Sequence, residues 1–180
     1  MKISTKFSLF LATVVAFVAL ASSALAEDWV TTGYGVRVKS IAFIDVNVYS
    51  ISHQMKGTLP AKNKQAVKDA DQDKRFLWQF LRDVSCEKIQ KAMRDGFAMN
   101  GYTDQAKINQ YAGACNGAEM KEKSSVVITY NATAKTTTIW MQGMGSATIP
   151  GVDFMKAVWS LWFGNIDQPK LGDQLISKMP

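Results

Sequence analysis

Histidine and cysteine are scarce in this sequence, which excludes several kinds of metal and redox site. His53 is the single histidine, so a metal centre built on several imidazoles has no ligands here. Cys86 and Cys115 are the two cysteines, and neither belongs to a Cys-x-x-Cys pair. Gly143-Met-Gly145 lacks the glycines and the lysine of a phosphate-binding loop. We therefore expect no metal and no other cofactor.

The sequence also lacks a dense basic stripe, although its formal net charge is +6. The lysines are scattered, with one loose basic group between residues 62 and 75. A nucleic-acid surface would need closely spaced Lys and Arg with aromatic side chains between them. The loose group is more typical of a solvated loop, and no nucleic-acid partner is expected.

A single long apolar run, Leu9 to Leu20, lies near the start of the chain. Lys2 and Lys6 precede it, and the small-residue site Ala24-Leu25-Ala26 follows it. This arrangement is typical of a secretory signal peptide, which we assign to residues 1–26. The run is shorter than the roughly 20 residues that a membrane-spanning helix needs.

The mature protein should begin near Glu27 and be periplasmic or secreted, without a transmembrane segment. Residues 27–180 are long enough to bury a core and are expected to form one domain. In an oxidising compartment, a disulfide between Cys86 and Cys115 is the expected state. The alternative is that both cysteines are free, buried thiols.

The stretch from Gly33 to Ile51 organises the rest of the chain. Gly33 and Gly35 indicate a tight turn, because glycine accepts a positive φ. The alternation that follows predicts a strand with one apolar and one semi-polar face, the latter carrying the Tyr49 hydroxyl. The residues expected to face the core are Ile44, Val46 and Val48.

Arg37 precedes Tyr49 by twelve residues in this stretch. A guanidinium and a phenol hydroxyl that meet above a sheet can hold a carboxylate or a phenolate. On a second interpretation, Arg37 pairs with a carboxylate of the protein to close the turn, and Tyr49 only packs. Spacing alone does not choose between the two interpretations.

The remaining elements are predicted from alternation, helical spacing and cap residues. The first are a surface segment with a short helix near Ala61–Ala70 and a strand Lys74–Val84. Two helices follow, one over Cys86–Met99 capped by Ser85, and one capped by Thr103 or Asp104 that ends near Cys115. The last are a hairpin of Ser125–Tyr130 and Thr136–Gln142, an apolar helix Val152–Phe163 and a short helix Pro169–Ile176.

This order of elements resembles the chalcone isomerase-like family, in its exported bacterial branch. The resemblance rests on Gly-Val-Arg37, on Val-Tyr49, and on the Ile-Pro, Phe-Gly and Pro-x-Leu pairs around the last two helices, and it covers about Gly33 to Ile176. It implies an α+β fold in which an open-faced antiparallel β-sheet carries a layer of helices on one face. It also implies a ligand cleft between sheet and helices.

The enzymes of this family use an Arg, a Thr, a Tyr, an Asn and a second Thr or Ser. The resemblance places these on Arg37, Tyr49, Ser85, Ala92 and Leu161, so that one of the five is retained. Ala92 and Leu161 can neither stabilise a phenolate nor order a water molecule. No catalytic residues are therefore expected. The tyrosine at position 49 is similar to that of the family's fatty-acid-binding relatives.

The expected function is non-catalytic binding of a fatty acid or similar amphiphilic carboxylate, with Arg37 and Tyr49 holding the head group. Each CH₂ of the tail buried against apolar walls would contribute ~0.8 kcal/mol. Two alternatives stay open. One is a structural or partner-binding envelope protein whose cleft is filled by Trp78, Trp140, Trp159 and Trp162. The other is an isomerase of chalcone-like enones that uses Ser85 and Tyr49.

Overall fold

The computed structural model describes residues 28–180, and the predicted signal peptide lies outside the described residues. The strands are β1 (Val30–Ile41), β2 (Ile44–Met55), β3 (Lys74–Phe80), β4 (Val84–Ser85), β5 (Glu119–Met120), β6 (Ser125–Asn131), β7 (Thr136–Met141) and β8 (Gly145–Pro150). The helices are α1 (Lys64–Asp69), α2 (Cys86–Met99), α3 (Gln105–Ala112), α4 (Val152–Phe163) and α5 (Pro169–Gln174).

Six strands form one antiparallel sheet in the order β1-β2-β3-β6-β7-β8, and β4 pairs separately with β5. The register aligns His53, Phe76, Ile128 and Ile139 across four neighbouring strands, and all four are buried. The helices cover this face, whereas Trp140 on the opposite face is 44% exposed. The predicted open-faced sheet with one helical layer is confirmed.

The stretch from Gly33 to Ile51 forms two strands, because the chain reverses in its middle and not at the glycines where the turn is predicted. Ala42 and Phe43 form a two-residue turn between β1 and β2, with φ of 48° and 67°. The turn lacks the Asn-Gly or Asp-Gly signal that would have revealed it. The predicted core face is also wrong, since Ile44 is exposed and Val46 and Val48 are only half-buried.

The core face of β2 is set by its second half. Ile51, His53 and Met55 are buried against the helices, and Tyr49 points the same way. Side chains alternate between the two faces of a strand. Assigning Ile44, Val46 and Val48 to the core face therefore assigns Ile51, His53 and Met55 to the opposite face.

Gly33 and Gly35 lie within β1 and make no turn, so that prediction is also wrong. A Cβ on Gly33 would lie 2.2 Å from the carbonyl oxygen of Gln174, and one on Gly35 would lie 2.7 Å from Leu171 Cδ1. The missing side chains allow the C-terminal helix α5 and the residue after it to approach the strand closely. This contact fixes the position of the loop that precedes α5.

Helix α4 is buried on most sides, as its apolar sequence predicts. Trp159 donates from Nε1 to His53 Nε2 at 2.9 Å, and His53 Nδ1 lies 2.6 Å from Thr32 Oγ1. Because Nε2 accepts a hydrogen bond, the imidazole proton resides on Nδ1. Burial, and after it the nearby Lys74, hold the pKa of His53 well below its ordinary value. The single histidine is therefore a neutral part of the core.

The helix pair α2 and α3 is linked as predicted. Ser85 caps α2 by accepting from the Lys88 backbone N–H, and Asp104 caps α3. A disulfide joins Cys86 to Cys115, with 5.4 Å between the two Cα atoms. The predicted pairing is confirmed, and the alternative of two free thiols is wrong.

Two other strand predictions need correction. The strand that begins at Lys74 ends at Phe80 instead of Val84, because the chain turns through residues 81–83. β8 begins at Gly145, and the sequence analysis predicts no strand there. β8 pairs with β7 and completes one edge of the sheet.

Candidate functional site

A cleft of about 660 Å³ lies between the first three strands of the sheet and helices α2 and α4. This volume falls within the roughly 300–1,000 Å³ typical of small-molecule sites. Its walls are predominantly apolar. The apolar lining residues are Val48, Tyr49, Trp78, Phe80, Val84, Ile89, Ala92, Met99, Leu161, Trp162 and Ile166.

Tyr49 is held rigidly in the wall of this cleft. Its ring stacks on Trp78 with 4.6 Å between centroids, and Trp162 Nε1 donates to its hydroxyl oxygen at 3.1 Å. Burial raises the pKa of Tyr49, so the phenol stays protonated at neutral pH. Within residues 28–180, no acceptor contacts its hydroxyl proton, which remains available to a ligand.

Arg37 is the cross-strand register partner of Tyr49, and both residues line the cleft. The Arg37 side chain is only 15% exposed. Its Nη1 donates to Gln168 Oε1 at 3.2 Å, and its Nη2 forms an ion pair with Asp167. This ion pair matches the second interpretation, in which Arg37 pairs with a carboxylate of the protein. The role of Arg37 and Tyr49 in ligand binding stays a prediction.

The loop that carries Asp167 and Gln168 is attached to β1. Gln168 accepts from Val38 N and donates to the Val36 carbonyl, both at 2.9 Å. Sequence reasoning missed both loop residues, which lie about 130 residues from Arg37 along the chain. The sequence carries no local signal for their contact with Arg37, because only the packing of α5 on β1 brings them together.

The charged residues around the cleft favour an anionic ligand. The basic lining residues are Arg37, Lys39, Arg82, Lys88 and Lys91, and the acidic ones are Asp83, Asp95 and Asp167. Partial burial alone would raise the pKa of Asp167, but hydrogen bonds from Lys39 and Arg37 outweigh it and lower that pKa. At neutral pH the basic groups therefore exceed the acidic groups by two.

The positions matched to the enzymes' catalytic residues offer little chemistry. Ala92 and Leu161 line the cleft with carbon atoms only, and Ser85 caps α2 and is not among the lining residues. Within residues 28–180, no three His, Cys, Asp or Glu side chains are grouped to hold a metal ion.

The tryptophans do not fill the cleft. Trp159 is buried beneath it in the contact with His53, and Trp140 lies on the other face of the sheet. Trp78 and Trp162 form part of the walls and leave the volume between them and α2 open.

A family model described as chalcone isomerase-like matches residues 16–175. The chain therefore belongs to the chalcone isomerase-like family. Among solved structures, it is similar to the crystal structure of an Arabidopsis thaliana fatty-acid binding protein, with a TM-score of 0.65 and 14% sequence identity. The match covers 83% of this chain and 88% of that chain, and it shows a shared fold. A comparison with curated proteins found no match.

The structure contains no candidate for a membrane span among residues 28–180, because none of the helices there combines sufficient length with sufficient apolar character.

Proposed function

We propose that this protein binds a fatty acid or a similar amphiphilic carboxylate outside the cytoplasm, without catalysing a reaction. The observation that carries the proposal is the pairing of Arg37 with Tyr49 in the wall of an otherwise apolar cleft. The similar protein from Arabidopsis thaliana is a fatty-acid binding protein, which supports the same class of ligand.

The head group would lie against Arg37 and Tyr49. Arg37 has five N–H donors, and its contacts with Asp167 and Gln168 leave some of them for a ligand. The Tyr49 hydroxyl supplies one more donor. Asp167 is 45% exposed, and an ion pair with so exposed a partner is worth little. A ligand carboxylate can therefore share or replace Asp167 at the guanidinium.

The acyl chain would extend along the apolar walls formed by the sheet and by α2 and α4. Gly96 on α2 allows Leu161 of α4 to approach closely, because a Cβ there would lie 2.8 Å from Leu161 Cδ2. Burial of the chain, at roughly 25 cal/mol per Å² of apolar surface, would supply most of the affinity. The charged contacts would orient the ligand.

Isomerase activity has weaker support in the same geometry. Ring closure of a chalcone requires donors that stabilise a phenolate and position a water molecule. Ala92 and Leu161 provide neither at the positions where the resemblance places an Asn and a Thr. Turnover of chalcone-like enones by the purified protein would favour the enzyme and would contradict the proposal.

Replacing Arg37 by alanine should weaken binding of a long-chain fatty acid about a hundredfold. The variant loses two or so charge-assisted hydrogen bonds, which contribute roughly 1.5–3 kcal/mol each before competition from Asp167 is subtracted. The measurement is titration calorimetry on delipidated protein, after native mass spectrometry has identified the acyl chain that co-purifies.

Asp167→Asn is the matched control for Arg37→Ala. It breaks the same ion pair from the acidic side, so any loss of stability is similar, but it frees the guanidinium. Binding should stay equal or become tighter. Equal binding by wild type and Arg37→Ala, or equal affinity for the acid and the corresponding alcohol, would show that the head group is held elsewhere.

The location outside the cytoplasm is tested by the mass of the exported protein. When the full-length chain is expressed in a secreting bacterial host, the protein recovered from the periplasm or medium should begin near Glu27. Ala26→Arg should block processing, because the cleavage site requires small residues. Recovery of unprocessed protein from the cytoplasm, for wild type as well, would contradict the proposed location.

A further inference from the structure

The hairpin of β1 and β2 extends beyond the rest of the sheet. β2 pairs with β3 only from Tyr49 onward, whereas the pairs from Val38–Asn47 to Ile41–Ile44 have no third strand beside them. We call residues 38–47 the hairpin arm. Its four residue pairs project roughly 13 Å from the sheet, at about 3.3 Å per residue.

The tip of the hairpin arm is apolar and exposed. Phe43 is fully exposed and Ile44 is 68% exposed. Ala42 and Phe43 both have positive φ, a conformation that costs free energy for residues other than glycine and that Asn-Gly would adopt easily. A turn that only reversed the chain would favour glycine or asparagine here, so the exposed phenylalanine is retained at a conformational cost.

The hairpin arm borders the mouth of the cleft. Lys39 and Ser40 belong to the arm and also line the cleft, so the tip lies three residues from a lining residue. Basic side chains stand around the same opening. They are Lys39 and Arg82 on the sheet side and Lys88 and Lys91 on α2, and two of them, Lys39 and Lys91, form ion pairs with acidic residues of the same cleft.

We propose that the hairpin arm docks on an anionic lipid bilayer, with Phe43 and Ile44 inserted at the boundary between headgroups and acyl chains. An apolar tip on an arm that carries Lys39, next to a cleft whose basic residues outnumber its acidic ones, matches the two attractions that hold peripheral proteins on such surfaces. A protein partner fits less well, because a stable interface buries about 800 Å² per partner, far more than two side chains supply. Docking directs the mouth of the cleft toward the membrane.

Phe43→Gly and Ala42→Gly form a matched pair for the test. Each places glycine at a positive φ, so each should fold at least as stably as wild type. Only Phe43→Gly removes the anchor. In vesicle flotation, wild type and Ala42→Gly should bind vesicles that contain phosphatidylglycerol, and Phe43→Gly should bind about tenfold more weakly or worse. All three should bind vesicles of pure phosphatidylcholine less well.

Several results would overturn the proposal. They are a wild-type protein that floats with neither vesicle type, a Phe43→Gly variant that floats like wild type, and a wild-type dimer in solution that Phe43→Gly dissociates. Membrane contact does not depend on the proposed ligand. Transfer of a fluorescent fatty acid from vesicles to the protein does rest on the proposed ligand. This transfer should be slower for Phe43→Gly than for wild type, while the equilibrium affinity for the fatty acid is unchanged. Normal flotation without fatty-acid binding would reject the ligand alone.

Discussion

Removing the disulfide between Cys86 and Cys115 should lower the free energy of unfolding by about 3–4 kcal/mol. The bond closes a loop of 29 residues, and its loss restores that much chain entropy to the unfolded state. The measurement is urea unfolding of the wild type with and without dithiothreitol. Both cysteines are buried, so the reduced protein also keeps two thiols in the core.

The double variant Cys86→Ala with Cys115→Ala separates the crosslink from other effects of the reductant. Its stability should be close to that of the reduced wild type, and dithiothreitol should not change it further. If the reductant destabilised this variant as much as the wild type, the effect would not come from the disulfide. Because Cys86 begins α2, which forms one wall of the cleft, the loss should also weaken ligand binding.

Gly33→Ala should cost about 4 kcal/mol or more, enough to unfold a domain of marginal stability. The new Cβ would lie 2.2 Å from the Gln174 carbonyl oxygen and 2.5 Å from the carbonyl carbon of Leu175. Both are backbone atoms, so no rotation of a side chain relieves the overlap, and the C-terminal segment must move off the strand. Thermal and urea unfolding measure the loss.

Gly143→Ala is the control for this substitution. Gly143 has a φ of 72°, and nothing lies within 4 Å of an added Cβ, so only the backbone conformation is penalised. The expected cost is about 1 kcal/mol. Equal costs at both positions would mean that the close approach of the C-terminal segment to β1 contributes no stability of its own.

The parts of the fold that the sequence predicted well depend on local signals. The predicted limits of α2 and α4 agree with the structure, because a cap serine, helical spacing and terminal glycine or Asn-Gly mark their ends. The β6–β7 hairpin is similarly marked by β-branched residues on both sides of a short polar turn.

The failures occur where a local pattern is ambiguous or absent. Gly145–Pro150 is rich in small residues and becomes a strand only because β7 offers it an edge. The turn at Ala42 and Phe43 contradicts ordinary turn preferences, and it concealed the hairpin. Gly33 and Gly35 allow the end of α5 to approach β1. Because that segment is about 140 residues away along the chain, the local sequence indicates only a turn.

The candidate site likewise combines residues that the sequence predicts with contacts that it does not. Arg37 and Tyr49 are close in sequence, and both line the cleft, while their role in binding stays a prediction. Asp167, Gln168 and Trp162 contact them from the far end of the chain, and no spacing in the sequence predicts those contacts. The openness of the cleft also depends on how large aromatic side chains pack, which composition alone does not decide.

The arrangement of Tyr49 between Trp78 and Trp162 gives the cleft its own optical probe. Two of the five tryptophans in the chain belong to the cleft walls, and the Trp162 indole is hydrogen-bonded to the tyrosine. The emission of these indoles depends on whether water or hydrocarbon surrounds them. Occupancy can thus be followed by intrinsic fluorescence on the unlabelled protein.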